Sequence, residues 1–525
     1  MSEYFNPTIS QLFDMLPEVS RSQITNWGSW NVDTVVSEAS QCREITDADN
    51  TAVYAEQCES TLGDTIIIDG HIMPQPGNSK HVRLEVPAAY AHVAIAFKQS
   101  VYRHNMTFSD MHSDPDITIY CNPDMRMGRI NYARGGFTRM LGDRGVLWSA
   151  DTVCVIGSDR FEDVLAGLWR AARLDVSSRR GLLVKGAIKE VETPGRGYDR
   201  RFIILGNNTK PVGTTRTAFG GPKSGLHQDG MIQITGMGLA YPVLATSYAN
   251  VSQLTSTCES LVNVVRSGNC LLENVFVEDG YADLERTTNG RALISITDVD
   301  GYVQWDRHTG SDTFVMLVSE DSVVPAVAKV SKDIFLSMYV SQNTDLTTLE
   351  VENLHTALRQ AGPSEFYVIN TGAVANGMSD ITEAGVHSIL KEIARGVIQW
   401  KTDKATGWEI CPHQLPEVDV YALNPEQAYS HDARYHEYQA RVAMFIDDSR
   451  EKIRSAHPGL TEMTYDCIAK PVVPTELEIL HAEAVERGEK VFIHPVTGDA
   501  VMTELAHWTR GWCCNNNCTF CPFDK

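Results

Sequence analysis

The sequence contains no apolar run of about 18 residues, the length that a membrane-spanning helix needs. Its first residues, MSEYFNPTIS, lack the basic and then apolar pattern of a secretory signal. Both absences argue against a membrane protein and favour a cytoplasmic location. With 525 residues, of which 43% are hydrophobic, the chain is long enough to bury a large core. Its length alone predicts roughly two to four domains.

Basic residues are also scarce. There are 45 lysines and arginines against 67 aspartates and glutamates, which gives a formal net charge of −22 at pH 7. Nucleic acids and anionic membrane surfaces are bound through basic patches, so this charge argues against both as partners. A small anionic substrate in a local basic pocket is still compatible with it.

Regularly spaced cysteines are missing from most of the chain. Eight of the twelve are dispersed between residues 42 and 467 with no framework spacing. In a reducing compartment, such cysteines are most simply buried apolar side chains or unpaired thiols. The other four fall within the last 13 residues and form a pattern of their own.

A complete phosphate-binding loop is absent as well. In HQDGMIQITGMGLAYPVLAT, residues 227–246, an apolar run leads into Gly236 and Gly238. Closely spaced glycines after a strand allow backbone N–H groups to approach a phosphate. The loop of nucleotide enzymes, G-x-x-x-x-G-K-[ST], also supplies a lysine and a hydroxyl group for magnesium. Here Leu239 and Ala240 follow, so the two glycines are candidate cofactor-binding residues of an incomplete loop.

Short apolar runs bounded by turn residues alternate with amphipathic helical patterns. Examples are DTFVMLVSED at 312–321, EFYVINTG at 365–372 and the helical FEDVLAGLWRAARL at 161–174. This alternation predicts a mixed α/β or α+β fold built in layers. We expect the first two runs to be buried strands of one sheet, because both are too short for helices and both end at polar turns.

Four stretches resemble those of the ATP-dependent phosphoenolpyruvate carboxykinases. DTFVMLVSEDSVVPAVAKVSKD is similar to that family's strand, acidic turn and basic residue before a helix. EFYVINTGAVANGMSDITEAGVHSILKEIARG resembles its Asn-Thr-Gly segment and helix. LLENVFVEDGYADLERTTNGRALI resembles its Glu-Asn-Val strand and Asn-Thr-Arg turn, and VRLEVPAAYAHVAIAF with PDITIYCNP is a weaker match. Residues 270–450 carry the resemblance.

The resemblance implies a two-domain carboxykinase-like fold. It places an N-terminal α/β substrate-side domain at residues 1–215 and a nucleotide-type domain at 216–465. Beyond these, the sequence changes to a charged helix, a short strand-like run and a cluster of cysteines. We therefore expect an appended module with a Cys-rich tail at 466–525.

Carried onto the matching positions, the resemblance implies a catalytic site around Arg291. This residue matches the arginine that bridges the nucleotide's terminal phosphate and the carboxylate substrate, a role that suits a planar guanidinium group. His227 matches a metal-ligand histidine, and Lys223 adds a cation to the same glycine-rich stretch. The alternatives are an ordinary polar loop at 223–229 and a surface ion pair at Arg291.

The chain departs from the family where ATP and its metal would be held. The position of a metal-ligand lysine falls near Arg216, and arginine cannot lose its proton to bind a metal. Glu383 replaces a family arginine, and the loop's lysine and threonine are missing. Asn370, Thr371 and Gly372 end a strand, so they are candidate cofactor-binding residues or simply a turn. The resemblance thus implies a cleft for Mg²⁺ or Mn²⁺ with a weakened ATP site.

The last residues, GWCCNNNCTFCPFDK, contain a candidate metal site. Cys514, Cys518 and Cys521 have the C-x3-C-x2-C spacing with which radical S-adenosylmethionine enzymes hold an iron–sulfur cluster, although there the motif opens a barrel domain. Together with Cys513, the same thiols could instead surround Zn²⁺, and redox-active or unligated thiols are the third reading. Other residues could replace one of these ligands: Cys467, His494 and His507.

Two functions are compatible with these patterns. The first is a divergent carboxykinase-like enzyme, a lyase or phosphotransferase, that acts on a small phosphorylated or dicarboxylic acid. The second is a non-catalytic assembly or regulatory protein that keeps the fold and joins another protein or a second copy through its tail. Nucleotide binding discriminates between them, and the altered loop predicts that ATP binds poorly.

Overall fold

The computed structural model describes the chain in two compact units, residues 1–469 and 470–525, each of which is treated by itself. The described residues are 2–16, 22–34, 43–46, 48–73, 79–102, 113–127, 129–131, 138–140, 143–191, 200–206, 230–234, 240–251, 259–268, 270–295, 298, 313–318, 323–361, 364–372, 381, 383–424, 428–429, 432–468, 476–494, 498–510 and 520.

Thirteen α-helices lie within the described residues. They are α1 (Ile9–Met15), α2 (Ala48–Thr61), α3 (Ala91–Ser100), α4 (Phe161–Ser178), α5 (Glu259–Arg266), α6 (Lys332–Gln342), α7 (Thr348–Gln360), α8 (Glu383–Arg395), α9 (Val420–Leu423), α10 (Asp432–Ala456), α11 (Glu462–Ile468), α12 (Glu476–Glu486) and α13 (Glu504–Arg510). None of the helices described is both long and apolar enough to cross a bilayer.

The strands of the same residues are β1 (Glu3–Phe5), β2 (Ser22–Ile24), β3 (Trp30–Val32), β4 (Arg43–Thr46), β5 (Thr65–Ile72), β6 (Lys80–Pro87), β7 (Ile117–Asn122), β8 (Arg129–Asn131), β9 (Thr138–Met140), β10 (Gly145–Trp148), β11 (Thr152–Ile156), β12 (Leu182–Val191), β13 (Arg200–Leu205), β14 (Gly230–Ile234), β15 (Ala240–Pro242), β16 (Thr246–Asn250), β17 (Leu271–Glu273), β18 (Phe276–Glu278), β19 (Tyr281–Asp283), β20 (Arg291–Ser295), β21 (Thr313–Val318), β22 (Val327–Val330), β23 (Glu365–Asn370), β24 (Lys401–Thr402), β25 (Glu409–Ile410), β26 (Val491–Ile493) and β27 (Ala500–Met502).

Three sheets organise the first unit. A seven-stranded sheet has the order β1-β5-β6-β7-β11-β10-β4, a nine-stranded sheet β15-β14-β12-β13-β21-β23-β22-β25-β24, and a five-stranded sheet β16-β20-β17-β3-β2. The pairs β8-β9, β18-β19 and β26-β27 form small hairpin-like ladders. The mixed α/β architecture predicted from the sequence is therefore confirmed.

The seven-stranded sheet is covered by helices on both faces. Along β11, Val153 and Val155 face a core that includes residues of α3 and α4. Cys154 and Ile156 face the opposite side, where they pack with Tyr54 and other residues of α2. Because side chains alternate between the two faces of a strand, one short segment contributes to both cores.

The nine-stranded sheet repeats this layering. Phe314, Met316 and Val318 of β21 pack with α6 and α7, while Val315 and Leu317 pack with α8. Strand β21 pairs with β23 in parallel, from Thr313 opposite Glu365 to Val318 opposite Asn370. The prediction that these two runs are buried strands of one sheet is confirmed.

Sheet membership crosses residue 215, where the sequence suggested a domain boundary. Strands β12 and β13, which precede it, lie in the nine-stranded sheet with β21. Strands β16, β17 and β20, which follow it, lie in the five-stranded sheet with β2 and β3 from the start of the chain. Strand pairing over such distances leaves no local trace in the sequence, so the boundary at 215 does not coincide with a division between sheets.

Helix α8 ends earlier than its amphipathic pattern suggests. In GVHSILKEIARGVIQW, residues 385–400, apolar residues recur at helical spacing as far as Trp400, but the helix stops at Arg395, because Gly396 takes a positive φ of 67°. The N–H groups of Gly396 and Val397 both donate to the carbonyl of Glu392, which closes the helix end. Glycine adopts this left-handed geometry without a steric penalty.

A buried ion pair ties α4 to α7. Arg173 donates to both carboxylate oxygens of Glu350, the Nη2 contact being 2.8 Å long, and its Nη1 donates to Asp345 at 3.0 Å. Glu350 also accepts the backbone N–H of Thr347 at 2.7 Å, and thereby completes a capping box at the start of α7. One carboxylate thus satisfies a buried arginine and a helix terminus together.

The second unit is described for α12, the ladder of β26 with β27, and α13. His481 of α12 stacks on Phe520 with ring centroids 3.8 Å apart, and Phe492 of β26 packs beside both rings. The helix α12 and the strand β26 agree with the charged helix and short strand expected beyond residue 465.

A candidate anion-binding site around Arg291

Arg291 begins β20, which lies between β16 and β17 in the five-stranded sheet. It is opposite Asn250 on β16 and Glu273 on β17, while Leu293 is opposite Tyr248. Opposed residues, and residues two apart along a strand, point to the same face of a sheet. Arg291, Glu273 and Tyr248 therefore share one face, although they come from three separate strands.

The N-terminus of α4 contacts this face. The ring of Phe161 packs edge-on against that of Tyr248, with centroids 5.6 Å apart. Arg160, the residue before the helix, is only 2% exposed despite its charge. Both Arg160 and Arg291 donate to Oε2 of Glu162, the latter through Nη2 at 3.4 Å. Two guanidinium groups thus share one carboxylate, and we call this group the Arg160–Glu162–Arg291 cluster.

The cluster has a closed side and an open side. The side chain of Arg291 is 13% exposed, whereas that of Glu162 is 42% exposed. The side chain of Glu162 is therefore the most exposed of the three, and those of Arg160 and Arg291 are mostly buried.

Local backbone geometry places α4 here. Strand β11 ends at Ile156, and Gly157 has a φ of 73° at a point where an added Cβ would lie 2.8 Å from the carbonyl oxygen of Asp143. Only glycine fits this turn. Arg160 then occupies the N-cap position without a side-chain cap hydrogen bond, and the first turn that follows carries two acidic residues, Glu162 and Asp163.

A buried carboxyl group forms the floor of the site. The Tyr248 hydroxyl donates to Oε2 of Glu273. Burial raises the pKa of Glu273 to about 8, with Asp159 acting in the same direction, while Tyr248 and Arg160 oppose the shift. Burial and Glu273 also raise the pKa of Tyr248 well above its ordinary value. Both shifts favour the neutral acid and the neutral phenol, and a neutral pair does not repel an anion.

The predicted strand-end residues lie in a turn. Thr371 donates to the carbonyl of Val318 through its N–H at 2.7 Å and through Oγ1 at 3.0 Å. Nδ2 of Asn370 donates to the carbonyl of Val324 at 2.8 Å, and Oδ1 accepts the N–H of Gly372 at 2.9 Å. These bonds hold the ends of neighbouring strands together, which is the turn role that the sequence left open.

The other predicted site residues lie outside the described residues; they are Lys223, His227, Gly236, Gly238, Cys513, Cys514, Cys518 and Cys521. Within the part of the chain that is described, no group of three or more His, Cys, Asp or Glu side chains is placed to hold a metal ion. The divalent metal of the cleft and the zinc or iron–sulfur cluster of the tail accordingly stay predictions.

His507 is one of the residues that could replace a cysteine ligand in the predicted metal site of the tail. Its Nδ1 lies 2.8 Å from Nη2 of Arg510, and an arginine can only donate, so Nδ1 accepts this hydrogen bond. The ring proton of the neutral imidazole then sits on Nε2. A metal needs an unprotonated ring nitrogen, so this arrangement leaves His507 without one to offer.

Sequence reasoning missed four residues of the site: Arg160, Glu162, Tyr248 and Glu273. A signal existed for the first two, because they directly follow DTVCVIGSD, an apolar run that ends where α/β proteins often bind ligands. Glu273 lies in the LLENV stretch that resembles the carboxykinases. Tyr248 gave no local signal, since its contact with Glu273 crosses between strands.

The comparison with known protein families bears on the tail alone. Residues 480–525 match a family of unknown function (DUF5522). The match covers less than a tenth of the chain and lies wholly within the second unit. The matched segment includes all four clustered cysteines of the tail, so those cysteines belong to a segment that is similar to other proteins. The match assigns no activity.

Proposed function

We propose that this chain is a divergent, cytoplasmic carboxykinase-like enzyme, a lyase or phosphotransferase that acts on a small phosphorylated or dicarboxylic acid. In this proposal Arg291 and Arg160 hold the anionic group of the substrate. The observation that supports it most is that two guanidinium groups converge on a single carboxylate at the solvent edge.

The carboxylate of Glu162 occupies the position that we propose for the anionic group of the substrate. The planar guanidinium group of an arginine suits the oxygens of carboxylates and phosphates, and Arg160 and Arg291 each direct one Nη2 group to the same oxygen, Oε2 of Glu162. A substrate would displace Glu162, which sits on the first turn of α4 and is partly exposed.

The proposed chemistry also involves a divalent metal and a weakened ATP site. A divalent metal, when bound, supplies the cation that stabilises an enolate formed from an oxaloacetate-like acid. The described residues assemble no ligand set for such a metal, so no step is assigned to it. The incomplete glycine loop at 236–238 supports a weakened ATP site.

Anion binding tests the proposal. Isothermal titration calorimetry with phosphoenolpyruvate and with oxaloacetate should detect one site per chain. Replacing Arg291 by glutamine should weaken binding at least about tenfold, because a charge-assisted hydrogen bond contributes about 1.5–3 kcal/mol. The matched control is Arg286→Gln, an exposed arginine that pairs with Glu278 on the neighbouring hairpin. Equal loss in both variants would contradict the proposed site.

A second variant changes the affinity in the opposite direction. Glu162→Gln removes the charge that competes with the ligand, so anion affinity should rise several-fold. A cluster with only a structural role predicts instead a loss of stability and no anion binding in either protein. The two outcomes are distinguished by running the titration beside a urea unfolding curve.

The second candidate function is a non-catalytic assembly or regulatory protein with a metal-binding Cys tail. The cluster itself is the observation that favours it, because Glu162 already pairs with both arginines. Absence of binding by either acid, together with a partner or a second copy that co-purifies only when the tail cysteines are intact, would support this function over the first.

A further inference from the structure

Three loops meet at one edge of the seven-stranded sheet. Strands β7 and β11 run in parallel, with Asn122 opposite Ile156 at their carboxyl ends. Strand β10 runs antiparallel to β11, and its first residue, Gly145, is opposite the same Ile156. The residues after β7, the residues before β10 and the turn after β11 therefore lie at the same edge. Ligands of α/β proteins commonly bind at the carboxyl ends of parallel strands.

Two arginines of these loops flank Gly157. A Cβ atom placed on Gly157 would lie 3.4 Å from Nη1 of Arg126 and 2.9 Å from Cγ of Arg144. Nη1 of Arg126 donates to the backbone carbonyls of Pro123 at 2.8 Å and Met125 at 3.1 Å. These bonds hold the guanidinium group through one nitrogen. Its Nε–Nη2 edge makes no hydrogen bond to the described residues, and two N–H groups on one edge suit a carboxylate or phosphate.

Neither arginine forms an ion pair with a carboxylate in the part of the chain that the structure describes. The acids closest to them in sequence are Asp124 and Asp143. Asp124 accepts the hydroxyl of Tyr90 at 2.7 Å. Asp143 is exposed, and its backbone carbonyl accepts the N–H of Met127 at 3.2 Å. In a chain with a formal net charge of −22, these two arginines form a local patch of positive charge.

The turn after β11 connects this patch to the Arg160–Glu162–Arg291 cluster. Arg160 follows Gly157 by three residues, a stretch of chain that spans at most about 11 Å. Both arginines of the cluster donate to Glu162, whereas Arg126 and Arg144 share no carboxylate within the described residues. Two pairs of arginines thus lie at the two ends of one short turn, and a carboxylate of the protein balances only one pair.

We propose that Arg126 and Arg144 bind a second anionic group of the substrate, while Arg160 and Arg291 hold the first. This inference rests on the function proposed above, and it restricts the substrate to acids that carry two anionic groups. Like charges on neighbouring side chains repel each other, and a bound anion relieves that repulsion. A carboxylate and a phosphate offer the same chemistry to a guanidinium group, so the test includes one acid of each kind.

Three acids that differ by one group test the inference by calorimetric titration of the full chain. Pyruvate carries one carboxylate, oxaloacetate adds a second carboxylate, and phosphoenolpyruvate adds a phosphate. The native chain should bind at least one of the two larger acids about tenfold or more tightly than pyruvate, because the added group forms charge-assisted hydrogen bonds. The acid with the larger gain identifies the second group as a carboxylate or a phosphate.

Substitutions of single arginines assign the two ends of the substrate. Arg126→Gln and Arg144→Gln should each lower the affinity for that larger acid about fivefold or more and leave the affinity for pyruvate unchanged, since pyruvate lacks the group that they bind. Arg291→Gln should lower the affinity for all three acids. The matched control is Arg286→Gln, an exposed arginine that pairs with Glu278, and it should change none of the affinities.

Arg144→Gln keeps the inference testable if Arg126→Gln disturbs its loop, because Arg144 makes no hydrogen bond or ion pair within the described residues. The inference is overturned if both variants bind the larger acids as the native chain does, or if they weaken pyruvate binding to the same extent. A loss of affinity in Arg291→Gln beside either result leaves the proposed function intact. If the native chain binds none of the three acids, the inference and the proposed function both fail.

Discussion

Replacing Glu273 by glutamine should change how the stability of this protein depends on pH. Burial raises the pKa of Glu273 in the folded protein to about 8, above its ordinary value of 4.5. Below the ordinary value, the folded and unfolded chains both carry the proton. As the pH rises towards 8, the unfolded chain loses the proton while the folded chain keeps it, so the free energy of unfolding falls. Above the folded pKa the decrease levels off.

The size of the effect follows from the shift. One pKa unit corresponds to about 1.4 kcal/mol, and about three units of the shift from 4.5 to about 8 fall between pH 5 and pH 8, so the free energy of unfolding changes by about 4 kcal/mol over that range. The glutamine amide oxygen can still accept the hydrogen bond of Tyr248, but it does not titrate. Glu273→Gln should therefore be within about 1 kcal/mol of the native chain at pH 5 and more stable by about 3 kcal/mol at pH 9.

The assay is urea unfolding of both proteins at pH 5, 6.5, 8 and 9. The matched control is Glu278→Gln, an exposed carboxylate on β18 whose removal should leave the pH dependence nearly unchanged. Parallel curves for the native chain and Glu273→Gln across this range would refute the reasoning, because they would show that Glu273 is ionised in the folded protein. It would then repel the anion that the site is proposed to bind.

Three further predictions concern the ion pair, the nucleotide and the tail. Glu350→Ala leaves Arg173 buried without its main partner and should lower the free energy of unfolding by about 3–5 kcal/mol. The control is Glu437→Ala, an exposed carboxylate whose loss should lower it by at most about 0.5 kcal/mol, and similar urea midpoints for the two variants would contradict the prediction. Mg-ATP should bind poorly by calorimetry, and a dissociation constant in the micromolar range would refute the weakened site. The purified chain should carry zinc or iron, and the double variant Cys518→Ser, Cys521→Ser should release it. If elemental analysis finds no metal, the tail cysteines are ordinary thiols, whereas a brown colour would indicate an iron–sulfur cluster.

Much of the layered architecture was predictable because buried strands carry their own signal. The runs at 313–318 and 365–370 are apolar throughout and end at polar turns, and the structure pairs them in parallel. Where the predicted end of a helix was wrong, a single backbone feature was responsible. The amphipathic pattern of α8 continues past Arg395, and the positive φ of Gly396 ends the helix. Such a geometry depends on one residue and has no periodicity.

The candidate site was predictable only in part. Arg291 was found through a motif resemblance, whereas its partner Glu162 is more than a hundred residues away and Arg160 precedes it on the same turn. Asn370 and Thr371 were correctly placed at the end of a strand, but their hydrogen bonds serve the turn. Residue type and spacing suggest candidates, and they do not report which side chains meet.

Some properties of this protein depend on residues that are neighbours along the chain, and others depend on segments that meet only in the folded structure. The apolar runs, the amphipathic stripe of α4 and the net charge of −22 act through neighbours along the chain or through composition, so they can be read directly from the residues. The pKa of Glu273 and the meeting of Cys58 with Cys154 depend on strands and helices that pack from distant segments. Burial is created only when those segments fold together, and burial is what converts an ordinary carboxyl or thiol into a group with altered chemistry.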